Sequence, residues 1–139
     1  MQINPFHRFL TKEDHLHHGI LTFSRMQYPA RLVMHCPNEG KRTPFERYRA
    51  SFLGIKAGWP DLIWLEPMKG YMGLAMEVKV IYERGKKNKL SKAQKAKLAE
   101  LYDRGWFTCV VYDLESAIQI IASYFDPRIQ EIDILLCEN

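Results

Sequence analysis

The spacing of apolar residues changes several times along the chain, and each change predicts a new secondary-structure element. Apolar residues recur at helical spacing in residues 12–27, 44–53, 92–104 and 114–125. Shorter apolar runs typical of strands occupy residues 31–35, 61–65, 74–81 and 106–112. The predicted order is helix, strand, helix, strand, strand, helix, strand, helix. This order is typical of an α/β layered domain with a mixed central sheet.

Capping and turn residues mark the ends of these elements. Thr11 is a typical N-cap, and Glu13 and Asp14 in the first turn favour the helix dipole. Ser91 followed three residues later by Gln94 is a capping box. The other boundaries are marked by Tyr28-Pro29, Pro44, Ala57-Gly58-Trp59-Pro60, Gly105 and Asp113. Residues 61–65 and 74–81 flank a Pro/Gly-containing connection, which predicts neighbouring strands in a hairpin.

Two helices carry a polar residue on their inward-facing stripe. The stripe of the first helix consists of Leu16, Ile20, Phe23 and Gln27. Glu13 lies on that stripe, three residues before Leu16. On the later helix, Gln94 precedes the core-facing Leu98 and Leu101 by four and seven residues. Each polar residue has two interpretations: a site residue, or an ordinary dipole-favouring acid or capping partner. We favour the site, more strongly for Glu13 than for Gln94.

The length and composition indicate one globular domain spanning residues 1–139. Of the 139 residues, 47% are hydrophobic and 26% charged, and no apolar run approaches the roughly 20 residues of a membrane helix. The three cysteines have no Cys-x-x-Cys spacing, which disfavours a disulfide framework or a zinc site. No signal segment is recognisable, so we expect a cytoplasmic protein. The predicted core covers about 11–121, and 127–139 form an extension whose residues 132–136 are either an edge strand or a contact segment.

Basic residues are concentrated in one segment. Residues 84–99 contain seven lysines and arginines and no acid, although the whole chain carries only +4. The rest of the chain is therefore mildly acidic. A basic stretch of this kind indicates either a polyanion-binding surface or a solvated lysine-rich helix face, and charge alone gives the two equal weight.

Asp61, Glu77 and Lys79 are charged residues in otherwise apolar surroundings. Asp61 follows Gly58-Trp59-Pro60, and Glu77 and Lys79 alternate in the apolar run 76–80, so they point to the same face of a strand. Charges on a half-buried sheet surface are costly unless they are paired or bind a metal. The ordinary alternative is a Glu77–Lys79 pair that is neutralised on a solvent face.

Other residues invite a functional interpretation more weakly. His15 and His18 have i, i+3 helical spacing, but we expect partly exposed structural histidines and no metal site there. Trp59 and Trp106 are expected in the core rather than as base-stacking platforms. No helix-turn-helix, zinc finger or RNA-recognition signature is present, which favours recognition of nucleic-acid structure over sequence.

A longer series of motifs carries a family resemblance. The series comprises residues 35–42 (HCPNEGKR), 54–62 (GIKAGWPDL), 76–79 (MEVK) and 90–94 (LSKAQ), followed by Gly105. In order and spacing it resembles the virus-type replication-repair nuclease (VRR-NUC) domain of the PD-(D/E)XK nuclease superfamily, over roughly residues 11–121. Trp59 is a departure, because a small or aliphatic residue is more usual at that position.

The resemblance implies a fold, a metal and residue roles. The expected fold is a restriction-endonuclease-like αβββαβ core with a mixed central sheet flanked by helices. Mg²⁺ or Mn²⁺ would be held by Asp61, Glu77 and the backbone carbonyl of Val78, with Glu13 reaching a second ion. Lys79 would act on the transition state, and Gln94 would border the site.

The resemblance also implies a function, which we state as an expectation. The protein would be a metal-dependent endonuclease, bacterial or phage-encoded, that cuts branched DNA such as four-way junctions during replication, recombination or repair. A homodimer would bring two sites to a symmetric substrate. The expected phosphate contacts are Lys41, Arg42, Arg84, Lys86, Lys87, Lys89 and Lys92. The alternatives are a non-catalytic nucleic-acid-binding module on the nuclease scaffold, or an RNA nuclease.

Overall fold

The computed structural model describes residues 3–37, 42–86, 88–130 and 132. The helices are α1 (Lys12–Gln27), α2 (Pro44–Phe52), α3 (Lys92–Asp103) and α4 (Leu114–Phe125). The strands are β1 (Val33–His35), β2 (Leu62–Trp64), β3 (Leu74–Val78) and β4 (Phe107–Val111). Two short 3₁₀ segments, Pro5–Phe9 and Glu83–Gly85, complete the elements. The predicted order of helices and strands is confirmed.

Three of the helices begin with a reciprocal capping box. In α1, the Thr11 side chain accepts from the backbone N–H of Asp14, whose carboxylate accepts from the backbone N–H of Thr11. Thr43 and Glu46 do the same at α2, and Ser91 and Gln94 at α3. The capping box predicted for α3 is therefore confirmed, and local sequence sets where these helices begin.

The sheet is mixed and has the strand order β1-β2-β3-β4. β1 pairs with β2 and β2 pairs with β3, both antiparallel, which confirms the predicted hairpin. β4 runs parallel to β3, with Glu77 opposite Val110 and Val78 opposite Val111. Because a parallel neighbour needs a crossover connection, α3 lies between β3 and β4 in the chain. The fold class is the α/β class expected from the sequence.

The core lies between the sheet and the helices α1 and α4. The buried apolar residues of α4 are Ala117, Ile120, Ile121, Tyr124 and Phe125. The sequence spacing predicts an apolar stripe of Leu114, Ile118, Ile121 and Phe125, of which Ile121 and Phe125 are buried, Ile118 is partly buried and Leu114 in the first turn is exposed. On the sheet side, Trp64 is fully buried and donates its indole N–H to the Ser24 hydroxyl of α1 at 2.9 Å. This hydrogen bond joins α1 to β2 inside the core.

Two sequence expectations concern residues at the edge of the core. Trp106 is partly buried and lies so close to Gly73 that a Cβ there would come 2.3 Å from its ring, so it packs against the fold as expected. Ile132 is buried within the core of its own chain. Residues 131 and 133–139 lie outside the described residues. Within the described part of the chain, no helix combines the length and apolar character needed to span a bilayer.

Gly58 brings the loop before β2 into contact with the start of α3. Its φ of +96° lies in the region that favours glycine. A Cβ at this position would meet the backbone carbonyl oxygen of Ala93 at 2.4 Å. The loop that leads to Asp61 therefore packs directly on the first turn of the helix that carries Gln94.

We expect Gly58→Ala to lower the free energy of unfolding by about 3 kcal/mol, because it combines backbone strain with a backbone clash. Gly54→Ala is the matched control, since Gly54 also has a positive φ of +83° but a Cβ there meets nothing within 4 Å. The control should lower the free energy of unfolding only by the cost of backbone strain, about 1–2 kcal/mol. Urea denaturation followed by circular dichroism measures both. Equal destabilisation of the two variants would show that the close contact between Gly58 and α3 adds nothing to the effect of the substitution on stability.

Candidate active site

Asp61 lies directly before β2, and its carboxylate reaches across to β3. Its Oδ2 accepts a hydrogen bond from the backbone N–H of Val78 at 2.8 Å. Its own backbone carbonyl accepts from the N–H of Cys36 at 2.9 Å and lies 3.1 Å from Nδ1 of His35. The residue is only 7% exposed. A buried carboxylate is thus held at the junction of β1, β2 and β3.

Glu77 is the second carboxylate and points inward from β3. Its side chain is 1% exposed, and Oε1 accepts a hydrogen bond from Nε2 of Gln94 at 2.6 Å. Oε1 of the same glutamine accepts from the backbone N–H of Ser91 at 2.8 Å. The capping interpretation of Gln94 is confirmed, because its amide oxygen caps α3. Its amide nitrogen also holds Glu77, so the site interpretation stays a prediction that this contact supports.

Lys79 follows β3 and places its ammonium beside Glu77. Nζ lies 3.5 Å from Oε1 of Glu77, and the residue is 5% exposed. Its backbone N–H donates to the carbonyl of Val111 at 2.9 Å, so hydrogen bonding to β4 continues one residue beyond the end of β3. The pair proposed as the ordinary alternative is present. It is buried rather than on a solvent face.

The charges of this group favour a cation. Asp61 and Glu77 bring two carboxylates to a buried place, and Lys79 brings one ammonium. Buried charge is costly unless it is compensated, and an excess of carboxylate is the donor set of a hard divalent cation. No cluster of three His, Cys, Asp or Glu side chains that could hold a metal occurs among the described residues. A metal here would therefore need backbone oxygen or water as further ligands, which suits Mg²⁺.

One cavity lies on the α1 side of the carboxylates. It has a volume of about 190 Å³ and is lined by Glu13, Asp14, His17, His35, Cys36, Pro37 and Asp61. The structure thus brings Glu13 to the same cavity as Asp61. The Thr11 hydrogen bonds hold the pKa of Asp14 below its usual value, which keeps this wall of the cavity anionic.

His17 and His35 border the site. His35 opens the 35–42 motif, and His17 stands with His15 and His18 in the group of histidines for which no metal site is expected. The rings of His17 and His35 meet edge to face with centroids 4.5 Å apart. Burial, reinforced by the neighbouring His35, lowers the pKa of His17. His17 stands four residues after Glu13, so the shared helix face was the available signal. His15 instead meets the ring of His7, with centroids 5.3 Å apart.

A second cavity lies on the α3 side, and basic residues contribute to it. It has a volume of about 350 Å³ and is lined by Ala57, Gly58, Trp59, Lys79, Lys89, Ser91 and Gln94. The prediction that Trp59 belongs to the core is wrong, because 38% of its surface is exposed here. The backbone of Gly58 packs against α3, and the side chain of the following residue, Trp59, remains outside the core.

The other predicted phosphate contacts are distributed over two places. Arg84, Lys86, Lys89 and Lys92 are exposed, and Lys86 and Lys89 line a depression of about 990 Å³ with Tyr82 and Asn88. Arg42 lies elsewhere, in a cavity beside α2. Lys41 and Lys87 lie outside the described residues. Of the described basic residues, Lys89 is the one that joins the basic segment to the cavity of Lys79.

Comparison with known proteins identifies the family and the fold. The model of the VRR-NUC domain family matches residues 8–112. A solved structure described as a VRR_NUC domain protein superposes with a TM-score of 0.68 and 23% sequence identity, covering 89% of this chain and 94% of that chain. At that identity the likeness shows the fold. No curated protein matches the sequence. Because the family model covers most of the chain, this protein belongs to the VRR-NUC domain family.

Proposed function

We propose that the protein is a metal-dependent deoxyribonuclease that hydrolyses phosphodiester bonds at Asp61, Glu77 and Lys79. The observation that carries the proposal is the burial of two carboxylates and one lysine around the end of β3, where the Val78 N–H binds Asp61, the Gln94 amide binds Glu77 and Lys79 lies 3.5 Å from Glu77. Membership of the VRR-NUC family supports a nuclease-type fold. Phosphodiester hydrolysis adds negative charge to an anionic phosphate, so the reaction needs positive charge nearby.

The residues present fit a hard divalent cation, Mg²⁺ or Mn²⁺. Asp61 and Glu77 would hold it together with the backbone carbonyl of Val78. Glu13 lines the same cavity as Asp61 and would supply a carboxylate for a second ion. When bound, the cation supplies Lewis-acid stabilisation of the charge that develops on the phosphate. Carboxylate and carbonyl oxygens are the ligands that such ions prefer.

Lys79 and Gln94 have separate roles in the proposed reaction. Lys79 neutralises the negative charge that develops on the phosphate, and its contact with Glu77 keeps the ammonium at the site. Gln94 is a positioning residue, because its amide is oriented by Ser91 and in turn orients Glu77.

The proposed substrate is branched DNA, such as a four-way junction, bound through its phosphates. The exposed cations of residues 84–92 would position the DNA without selecting a sequence. One observation favours the alternative of a non-catalytic DNA-binding module, namely the lack of a three-residue metal cluster within the described residues. Mg²⁺ keeps several waters and does not need such a cluster, so the nuclease is our conclusion.

We expect Asp61→Asn and Glu77→Gln to reduce cleavage at least a hundredfold, because changes even outside a metal's direct ligands cost about 10–100-fold. DNA binding should stay equal or improve, since each change removes a negative charge facing the phosphates. The measurement is cleavage of labelled linear, flap and four-way-junction DNA with Mg²⁺ or Mn²⁺, beside a filter-binding assay. Asp103→Asn, an exposed acid at the end of α3, is the matched control.

The same assay separates the proposed functions. If either carboxylate variant cleaves DNA at the wild-type rate, the substituted residue, Asp61 or Glu77, is not required for cleavage. Wild-type protein that binds DNA but cuts none of the substrates with either metal would establish the binding module. Lys79→Met should lose cleavage but still bind Mn²⁺ in calorimetry, because the lysine acts on the phosphate and not on the ion.

We expect DNA binding to depend strongly on salt and little on sequence. With about five phosphate contacts, the slope of log K against log[salt] should be roughly −4 to −5 for duplex arms. The triple replacement of Lys86, Lys89 and Lys92 by serine should flatten the slope by about two to three. Fluorescence anisotropy across a series of salt concentrations measures it.

The control for this experiment removes the same charge elsewhere. It replaces Arg8, Arg25 and Arg47, which are exposed and lie outside the basic segment. The control should leave the slope closer to the wild-type value than the lysine triple does. Equal slopes for the wild type and the lysine triple would identify residues 84–99 as a solvated face.

We propose a homodimer as the active form, since one chain offers a single Asp61/Glu77/Lys79 group and a branched DNA has two symmetric strands to cut. Light scattering on a gel-filtration column should give twice the 16.4 kDa chain mass at micromolar concentration. Ile132 packs into its own core, so the expected contact through residues 132–136 would have to use the rest of that segment. A monomer mass both free and on a four-way junction would contradict the dimer.

A further inference from the structure

Trp59 is placed where it can contact a substrate bound at the candidate site. It stands two residues before Asp61 and lines the same cavity as Lys79. The cavity volume of about 350 Å³ is within the range of small-ligand sites. Trp59 is 38% exposed, so it presents aromatic surface beside the proposed catalytic group.

The Trp59 ring is held in place by α3. Nζ of Lys97 lies 4.7 Å from the ring centroid, a cation–π contact. The same ammonium lies 2.8 Å from Oε2 of Glu100, and the Lys97 side chain is 14% exposed. The indole is therefore bound on one face by a lysine that is itself anchored. A preorganised ring loses little entropy when a ligand stacks on it.

The other groups that line the cavity match the parts of a nucleotide. Lys79 and Lys89 bring two ammonium groups, which suit phosphates and disfavour a cationic ligand. Ser91 and Gln94 add polar groups, and the indole adds a flat apolar surface. An aromatic platform flanked by cations is the usual arrangement for binding single-stranded nucleic acid.

We propose that this cavity receives one unpaired nucleobase of the DNA strand that is cut, stacked on Trp59, with Lys89 on a neighbouring phosphate. The proposal rests on the proposed nuclease function and adds a rule for substrate choice. A base inside a duplex is already stacked on both sides and must be extruded to enter. The enzyme therefore prefers phosphodiester bonds next to an unpaired base, as at a flap, a gap or a branch point whose base pairs have opened.

The first experiment compares two substrates after the cut position has been mapped on a gapped duplex. One carries thymine at the unpaired position beside the scissile bond, and the other carries an abasic residue there. Trp59→Ala should lower kcat/KM on the thymine substrate by about 5- to 150-fold, the usual effect of losing one stacked base, and leave the abasic substrate unchanged. Trp59→Phe should recover most of the loss. Tyr102→Ala, which removes a 66% exposed aromatic from α3 outside this cavity, should have no effect.

The second experiment reports on the cavity without cleavage. Asp61→Asn protein is titrated with the same DNA carrying 2-aminopurine at the unpaired position, and stacking on Trp59 should quench its fluorescence. The Asp61→Asn/Trp59→Ala double variant should bind without that quenching. Quenching by the Asp61→Asn protein, together with wild-type protein that cuts none of the substrates with Mg²⁺ or Mn²⁺, would support the stacking site and remove the nuclease function.

Two results would overturn the stacking site while leaving the nuclease in place. One is an equal effect of Trp59→Ala on the thymine and abasic substrates. The other is equal quenching of 2-aminopurine with and without Trp59. If Trp59→Ala does not fold, wild-type protein must still prefer the thymine substrate over the abasic one, and equal kcat/KM on the two would overturn the proposal.

Discussion

The hydrogen bond from the Val78 N–H to the Asp61 carboxylate is the contact on which the arrangement of the site depends. The last pair of the β2–β3 ladder joins Leu62 and Met76, and the antiparallel register would place Val78 opposite Pro60. Proline has no N–H to donate to the Val78 carbonyl, so the ladder does not continue at Pro60. The Val78 N–H donates instead to the Asp61 carboxylate at 2.8 Å, which satisfies a buried donor and brings the first carboxylate next to the residue that follows Glu77.

The second carboxylate is positioned by a helix end rather than by the sheet. The capping box of α3 uses the Gln94 oxygen to accept from Ser91, which leaves the amide nitrogen to donate to Glu77 at 2.6 Å. A residue that had only to cap the helix could be glutamate. Glutamate here would set two carboxylates against each other and could not donate. The buried partner therefore requires the amide, and Gly58 supports it by letting the preceding loop pack on Ala93.

The elements and the Glu77–Lys79 pair could be predicted because their signals are local. The two residues of each capping box are three positions apart. Glu77 and Lys79 are two positions apart, so they point to the same face of an extended chain. The position of Trp59 could not be predicted in this way. An apolar tryptophan side chain favours burial, but the backbone conformation at Gly58 places this one at the surface. His17 of α1 meets His35 only in the folded chain, where the β1–β2 register pairs His35 with Leu62 beside Asp61. That register depends on strand pairing between residues far apart in sequence.

Charge divides the surroundings of the site into two sides. The cavity toward α1 contains Glu13, Asp14 and Asp61, whereas the cavity toward α3 contains Lys79 and Lys89. Under the proposed function, the acidic side suits a divalent cation and the basic side suits the phosphates of a DNA strand. Asp61 borders the first and Lys79 the second, with Glu77 in contact with Lys79. Asp61 and Glu77 would then hold the cation, Lys79 would neutralise charge on the phosphate, and a base stacked on Trp59 would lie on the basic side.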